Sequence, residues 1–449
     1  MPFGWIDQPA RLLAIPMRSL LRLNGVRHTF MQFMHRNGAS RAIYFKIEGL
    51  LQRHVACLHA CLNAPRPALL AYLLNMKTFH CGRCQHHVFF ENVKCESCGA
   101  LLGFVPELSE VCAFEPADEM LWRSLHPSAN GALFKQCNNY ALENVCNWMI
   151  PADSPDVLCP ACSLTHTIPN LAQPENRVYW YRLEMAKRRL LYALSALGLN
   201  TDSRKTNPET GLQFEFLEDG AVGEKVLTGH DDGLITMNIA EADDALRERM
   251  RTEMGEPYRT LLGHFRHEIG HYYFDRLVTN TDWEAPFREM FGDERVDYAQ
   301  SLQAHYDNGP PADWDQSYVS AYATTHPWED WAETWAHYLH IVDTVDTAAA
   351  CGFKLDPKSD NEPSLTEIEP VENTSFNTLM EQWFPLMYAL NSLNRSLGLA
   401  DAYPFTLSTK VVAKLRFVHK VIASAGAQQQ AKAEVQQEIK QDQPAAAAG

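Results

Sequence analysis

In the stretch GHFRHEIGHYYFDRL, residues 263–277, the second and third histidines stand four positions apart, with a glutamate directly after the second. On a helix, positions i and i+4 share one face. His267 and His271 placed that way can bind one ion together. Glu268 would then point toward the open coordination position and could take a proton from bound water. The flanks are apolar (Leu261, Leu262, Phe265, Tyr272, Tyr273, Phe274), which predicts a buried helix. Burying two imidazoles and a carboxylate is costly unless they are satisfied, and a metal satisfies them.

Zinc at such a site needs a third protein ligand. A metzincin would place Gly and His three and six residues after His271, but Phe274 and Leu277 stand there. The tract HPWEDWAETWAHYLH, residues 326–340, fits better. It reads as a helix lined by Trp331 and Trp335, with Glu329 and Glu333 one turn apart on one face. Such a pair suits one carboxylate as zinc ligand and the other behind a ligating histidine, fixing its ring. Asp293 and Asp297, in FGDERVDY, are the reserve ligands.

Upstream, Cys81-x2-Cys84 and Cys95-x2-Cys98 have zinc-ribbon spacing, each pair forming a turn that presents two thiolates to one tetrahedral ion. Cys137, Cys146, Cys159 and Cys162 fit a second four-thiolate site, although only the last pair has CxxC spacing. Cys57, Cys61, Cys112 and Cys351 are left as free thiols, and His80, His86 and His87 as surface residues.

The expected fold class is α+β: a small Cys-rich zinc-ribbon module followed by a mainly α-helical zincin-like metallopeptidase domain. Residues 1–75 form an appended segment, poorly ordered or foreign to the natural protein, whose start would be Met76. Residues 76–168 form the ribbon region with two four-cysteine sites, residues 169–424 the zincin-like domain, and residues 425–449 a disordered or transiently helical tail. Residues 175–198 predict a long amphipathic helix with Val178, Tyr181, Met185 and Leu190–Leu191 on its apolar side and Gly198 as its stop. Strands are expected at 212–217 and 234–239, the second preceded by an Asp232-Gly233 turn and offering an edge to an extended peptide.

The formal net charge is −16 over 449 residues. Residues 1–75 carry nine Lys/Arg against two Asp/Glu, which leaves −23 on the rest. That acidity argues against a nucleic-acid surface, which needs clustered positive charge. No run of 18 apolar residues free of charge occurs, so no membrane span is expected. Metal-spaced cysteines in a chain without a clear secretory signal indicate the cytoplasm. The Arg-containing, acid-poor first 23 residues also admit a transit-peptide reading.

The arrangement from MKTFHCGRC, beginning at Met76, through HPWEDWAETWAHYLH resembles the bacterial zinc-binding metallopeptidases with an N-terminal zinc ribbon, over roughly residues 76–424. Its HEIGH helix and later EDWAE helix resemble glutamate zincins, and the tract from Tyr322 to Glu333 is similar to that of the anthrax lethal factor type. The resemblance implies one catalytic zinc on His267, His271 and Glu329, two structural zinc ions on the cysteines, Glu268 as general base, Glu333 behind a ligating histidine, and Tyr322 stabilising the oxyanion. It implies hydrolysis of peptide bonds in a peptide or protein substrate, with the ribbon free to contact a protein partner. The competing readings are a ribbon-based protein- or nucleic-acid-binding module with a non-catalytic HExxH domain, and a hydrolase of non-peptide amides.

Overall fold

The structure is a computed structural model that describes residues 78–220, 225–253, 259–371 and 374–442. The appended segment, its Met76 start, its transit-peptide reading, and Cys57 and Cys61 lie outside the described residues.

The described residues open with a hairpin, β1 (Phe79–His80) against β2 (His87–Val88), whose turn carries Cys81 and Cys84. Cys95 and Cys98 follow in a second turn. Five antiparallel strands come next: β3 (Leu101–Val105), β4 (Glu110–Asp118), β5 (Leu121–Ser124), β6 (Leu133–Gln136) and β7 (Met149–Pro151), paired in that order. A parallel bridge between Phe104 and Trp148 joins the first to the last, so the small sheet curls back on itself. Cys137 caps the short helix α1 (Asn138–Ala141) and Cys159 caps α2 (Pro160–Ser163).

The next strand, β8 (Thr165–Thr167), falls inside the region expected to belong to the ribbon, yet it pairs with β9 (Gln213–Leu217) in a second sheet. That sheet is completed by β10 (Gly229–Asp231) and β11 (Leu234–Asn238), in the order β10-β11-β9-β8. Asp232 and Gly233 both have positive φ (44° and 85°), the backbone of a two-residue I′ turn, as the Asp-Gly pair predicts. The hairpin corrects one expectation. β11 lies between β10 and β9 and offers no free edge; β10 takes that place.

Helix α3 (Pro174–Ala196) ends at Gly198, as expected, with φ +66°. Its buried face keeps Leu190 and Leu191, as predicted, but differs nearer its start. Val178 and Tyr181 are exposed, while Glu184, Lys187 and Arg188 are buried. The charges are tolerated because each has a partner: Lys187 Nζ lies 2.9 Å from Glu184 Oε2, and Arg188 donates to the Val145 carbonyl at 2.8 Å.

Beyond the second sheet come α4 (Asp244–Glu253), α5 (Leu261–Leu277), α6 (Glu284–Phe291), α7 (Tyr298–Asn308), α8 (Pro327–Ala350), α9 (Phe376–Ser396) and α10 (Thr409–Asp442). Thr260 caps α5 by accepting from Gly263 N, and His326 caps α8, with Pro327 at its first position. α5 and α8 pack side by side with Gly270 at the contact, where an added Cβ would lie 3.1 Å from Ala332 Cα. Trp331 and Trp335 are fully buried against this pair, and Trp331 donates to the Gly270 carbonyl at 2.8 Å. The tail read as disordered or transiently helical continues α10 as far as Asp442, and Ala425 still packs on the core. No helix among the described residues is long and apolar enough to cross a membrane.

Candidate metal centre

Residues from α5 and α8 meet on the inner side of that packed pair. His267 Nε2 and His271 Nε2 are 3.2 Å apart. Glu329 Oε2 lies 3.0 Å from the first and 3.5 Å from the second. Two nitrogens held about 2.05 Å from one tetrahedral ion would be about 3.3 Å apart. The triad therefore has the spacing of a ligand set without further movement. Glu329 Oε2 and His271 Nδ1 are buried and have no hydrogen-bond partner among the described residues. An unsatisfied buried carboxylate oxygen aimed at two imidazole nitrogens is what a cation would relieve.

The electrostatics agree. Burial works against charge on His267, but the adjacent carboxylates of Glu329 and Glu333 outweigh it and hold its pKa well above the ordinary value. Burial likewise works against charge on Glu329, but His271 and His267 keep its carboxyl well below the usual range. The pocket favours positive charge at its centre.

Each imidazole is oriented differently. Glu333 Oε1 lies 2.7 Å from His267 Nδ1, and its other oxygen accepts from Ser320 Oγ at 2.6 Å. His271 is held by packing, its ring 3.8 Å from that of Trp328. Glu268 sits between the two histidines in sequence and is 8% exposed. Tyr322 lies in a 3-10 turn, Tyr322–Thr324, its ring 6.0 Å from His267, and burial foremost raises its pKa, so the hydroxyl keeps its proton.

Three contributors escaped the sequence reading. Tyr298, on α7, donates to Glu329 Oε1 at 2.8 Å. Burial, then the charge of Glu329, raises its pKa and keeps it a donor. Ser320 and Trp328 are the others. Tyr298 is the neighbour of Asp297, so the FGDERVDY segment does reach the site, through its tyrosine. The reserve carboxylates are engaged elsewhere: Asp297 caps α7 by accepting from Gln300 N, and Asp293 pairs with Arg295.

The eight motif cysteines form two tight groups, Cys81, Cys84, Cys95 and Cys98, and Cys137, Cys146, Cys159 and Cys162. Facing sulfurs are 3.7 Å (Cys81–Cys98), 3.6 Å (Cys84–Cys95) and 3.7 Å (Cys146–Cys159) apart. A tetrahedron of thiolates about 2.3 Å from zinc has edges of about 3.8 Å, so both groups fit that ion. The His86 backbone amide brings the Cys84 thiol down to about 6. Cys112, buried away from both groups, is pushed up to about 12 by burial, and Cys351 is exposed. His80, His86 and His87 are at the surface.

A Cys-rich ribbon ahead of a helical domain that gathers two histidines and a glutamate defines a zinc-binding protein of the metallopeptidase class. The chain belongs to the family described as "Putative zinc-binding metallo-peptidase", which matches residues 176–421. A zinc-ribbon domain matches residues 78–173. Similar relatives are uncharacterized proteins of Mycobacterium bovis and Mycobacterium tuberculosis, each 44% identical over 349 residues, covering 77% of this chain and 95% of the relative. No solved structure matches the chain.

Proposed function

We propose that this protein is a zinc-dependent peptidase that cleaves peptide bonds with an activated water, using Glu268 as general base. The convergence of His267 Nε2, His271 Nε2 and Glu329 Oε2, with Glu333 directly behind His267, supports this reading best. His267, His271 and Glu329 would hold the catalytic zinc, a glutamate-zincin ligand set. The two cysteine groups would hold structural zinc ions. When bound at the catalytic site, zinc polarises a carbonyl and brings the pKa of water toward neutrality.

The chain's own residues do the rest. Glu268 accepts the proton of the attacking water and returns it to the leaving amine. The Tyr322 hydroxyl, kept protonated by burial, donates to the carbonyl oxygen as it gains charge. Glu333, held by Ser320, fixes the His267 ring. The ribbon module would offer a surface for a protein partner or substrate.

Metal analysis should find about three zinc ions per chain. Glu268→Gln should keep all of them and lose roughly 10²- to 10⁴-fold in chelator-sensitive hydrolysis of a peptide library. A variant that cleaves as fast as the parent would overturn the mechanism.

A further inference from the structure

The candidate centre is closed. Glu268, His271 and Glu329 are 8%, 3% and 2% exposed and the His267 side chain 13%, so a peptide carbonyl gains room at the centre only if a covering element moves. Trp328 belongs to the first turn of the long helix α8, and the turn bearing Tyr322 is anchored by buried Ala323 and by Ser320. α7 is different. No residue of this eleven-residue helix is buried. Elements with little buried apolar surface open at the lowest free energy. The segment is also bounded by glycines with positive φ, Gly292 at +106° and Gly309 at +71°. Its polar attachments are few: Tyr298 to Glu329 Oε1 at 2.8 Å, His305 Nδ1 to Thr324 Oγ1 at 3.2 Å, the Val296 carbonyl to His326 Nε2 at 3.1 Å, and, next to Gly292, Glu294 to Arg288 of α6 at 3.0 Å.

We propose that residues 293–308 form a hinged cover over the metal centre and that Tyr298 is its latch, a positioning residue for the ligand Glu329. With the cover down, the Tyr298 hydroxyl occupies Oε1 and leaves Oε2 turned toward His267 and His271. With the cover raised, substrate gains access, and Oε1 loses its donor. Substrate entry and the firmness of the third ligand are thereby linked through one hydroxyl.

This inference rests on the zinc reading above, and the test separates the two. Zinc release to a chromogenic chelator and amide hydrogen exchange are measured on the full zinc-loaded chain, on Tyr298→Phe and on His267→Ala. The equivalent missing from His267→Ala marks the catalytic ion. Its absence from the parent protein as well would overturn the zinc reading, and the latch with it. Tyr298→Phe should release that equivalent about tenfold faster or more, the worth of one hydrogen bond to a charged group. Its amides in 293–308 should exchange faster, while exchange in α5 and α8 stays as in the parent. Unchanged exchange in 293–308 overturns the latch, whether or not zinc release quickens, since a purely local role for the hydroxyl would leave the cover in place.

Discussion

His267 stands between two carboxylates that do different work. Glu329 faces the nitrogen shared with His271, and Glu333 faces the opposite nitrogen. Glu333→Gln should therefore keep the fold but weaken zinc binding at this site by about 10- to 100-fold in chelator competition, the usual cost of losing an orienting carboxylate. Undiminished affinity would show that Glu333 does not set the ring. At this scale the spacing of the motif residues was informative. His267, His271 and Glu268 lie within one turn, as do Glu329 and Glu333, so each set can be read from helical period alone. Ser320 and Tyr298 could not be read that way. They reach Glu333 and Glu329 from 13 and 31 residues away, out of a loop and a separate helix.

At the scale of elements, the α5–α8 contact carries the site. A methyl on Gly270 would press on Ala332 Cα at 3.1 Å and on the buried Trp335 side chain at 3.2 Å. Gly270→Ala gains about 1 kcal/mol of helix propensity, but overpacking against backbone and a buried indole costs about 1–3 kcal/mol. A net loss of stability is expected, read as a lower urea midpoint, together with weaker zinc binding as α8 shifts. The entry to α5 has its own electrostatic tie. Glu241 pairs with Arg259 at 2.7 Å and lies 3.1 Å from His264 Nδ1. Burial would raise its pKa, but His264 and Arg259 outweigh it and bring it from 4.5 to about 2. A depressed carboxylate pKa contributes stability above the unfolded value and loses it as pH falls through the folded one. The tie should be complete above about pH 5 and fade toward pH 2, with a total on the order of 3 kcal/mol. Urea midpoints at about pH 6 and about pH 3 should converge for the parent and Glu241→Gln as the medium becomes acidic. A constant gap would rule the tie out.

Across the whole molecule, the ribbon and the helical domain share parts. β8 leaves the ribbon region to pair with β9. Buried Arg188, on α3, is held at the Val145 carbonyl, next to Cys146 of the second cysteine group. Burial disfavours its charge, but the second cysteine group and Glu184 favour it. Losing the second group would leave Arg188 with only Glu184, which Lys187 shares, as nearby negative charge, and so destabilise the buried cation. Cys146→Ser should thus lower the melting temperature of the whole described unit, with loss of helical circular dichroism. Cys84→Ser, in the outer β1–β2 turn, should disturb the hairpin and spare the helices. Equal effects from the two variants would contradict this division.

Taken alone, the sequence determined the zinc-ribbon spacing, the HEIGH helix, the Glu329/Glu333 helix and the Asp232-Gly233 turn. Each is a relation among residues within a turn or two, set by backbone geometry and side-chain chemistry. Tertiary structure decided the rest. It set the different directions of Glu329 and Glu333, brought in Tyr298 and Ser320, placed β10 along the flank of β11, and buried the charged face of α3 in place of Val178 and Tyr181. These outcomes depend on which distant surfaces exclude water together, a property of the packed chain that no local period encodes.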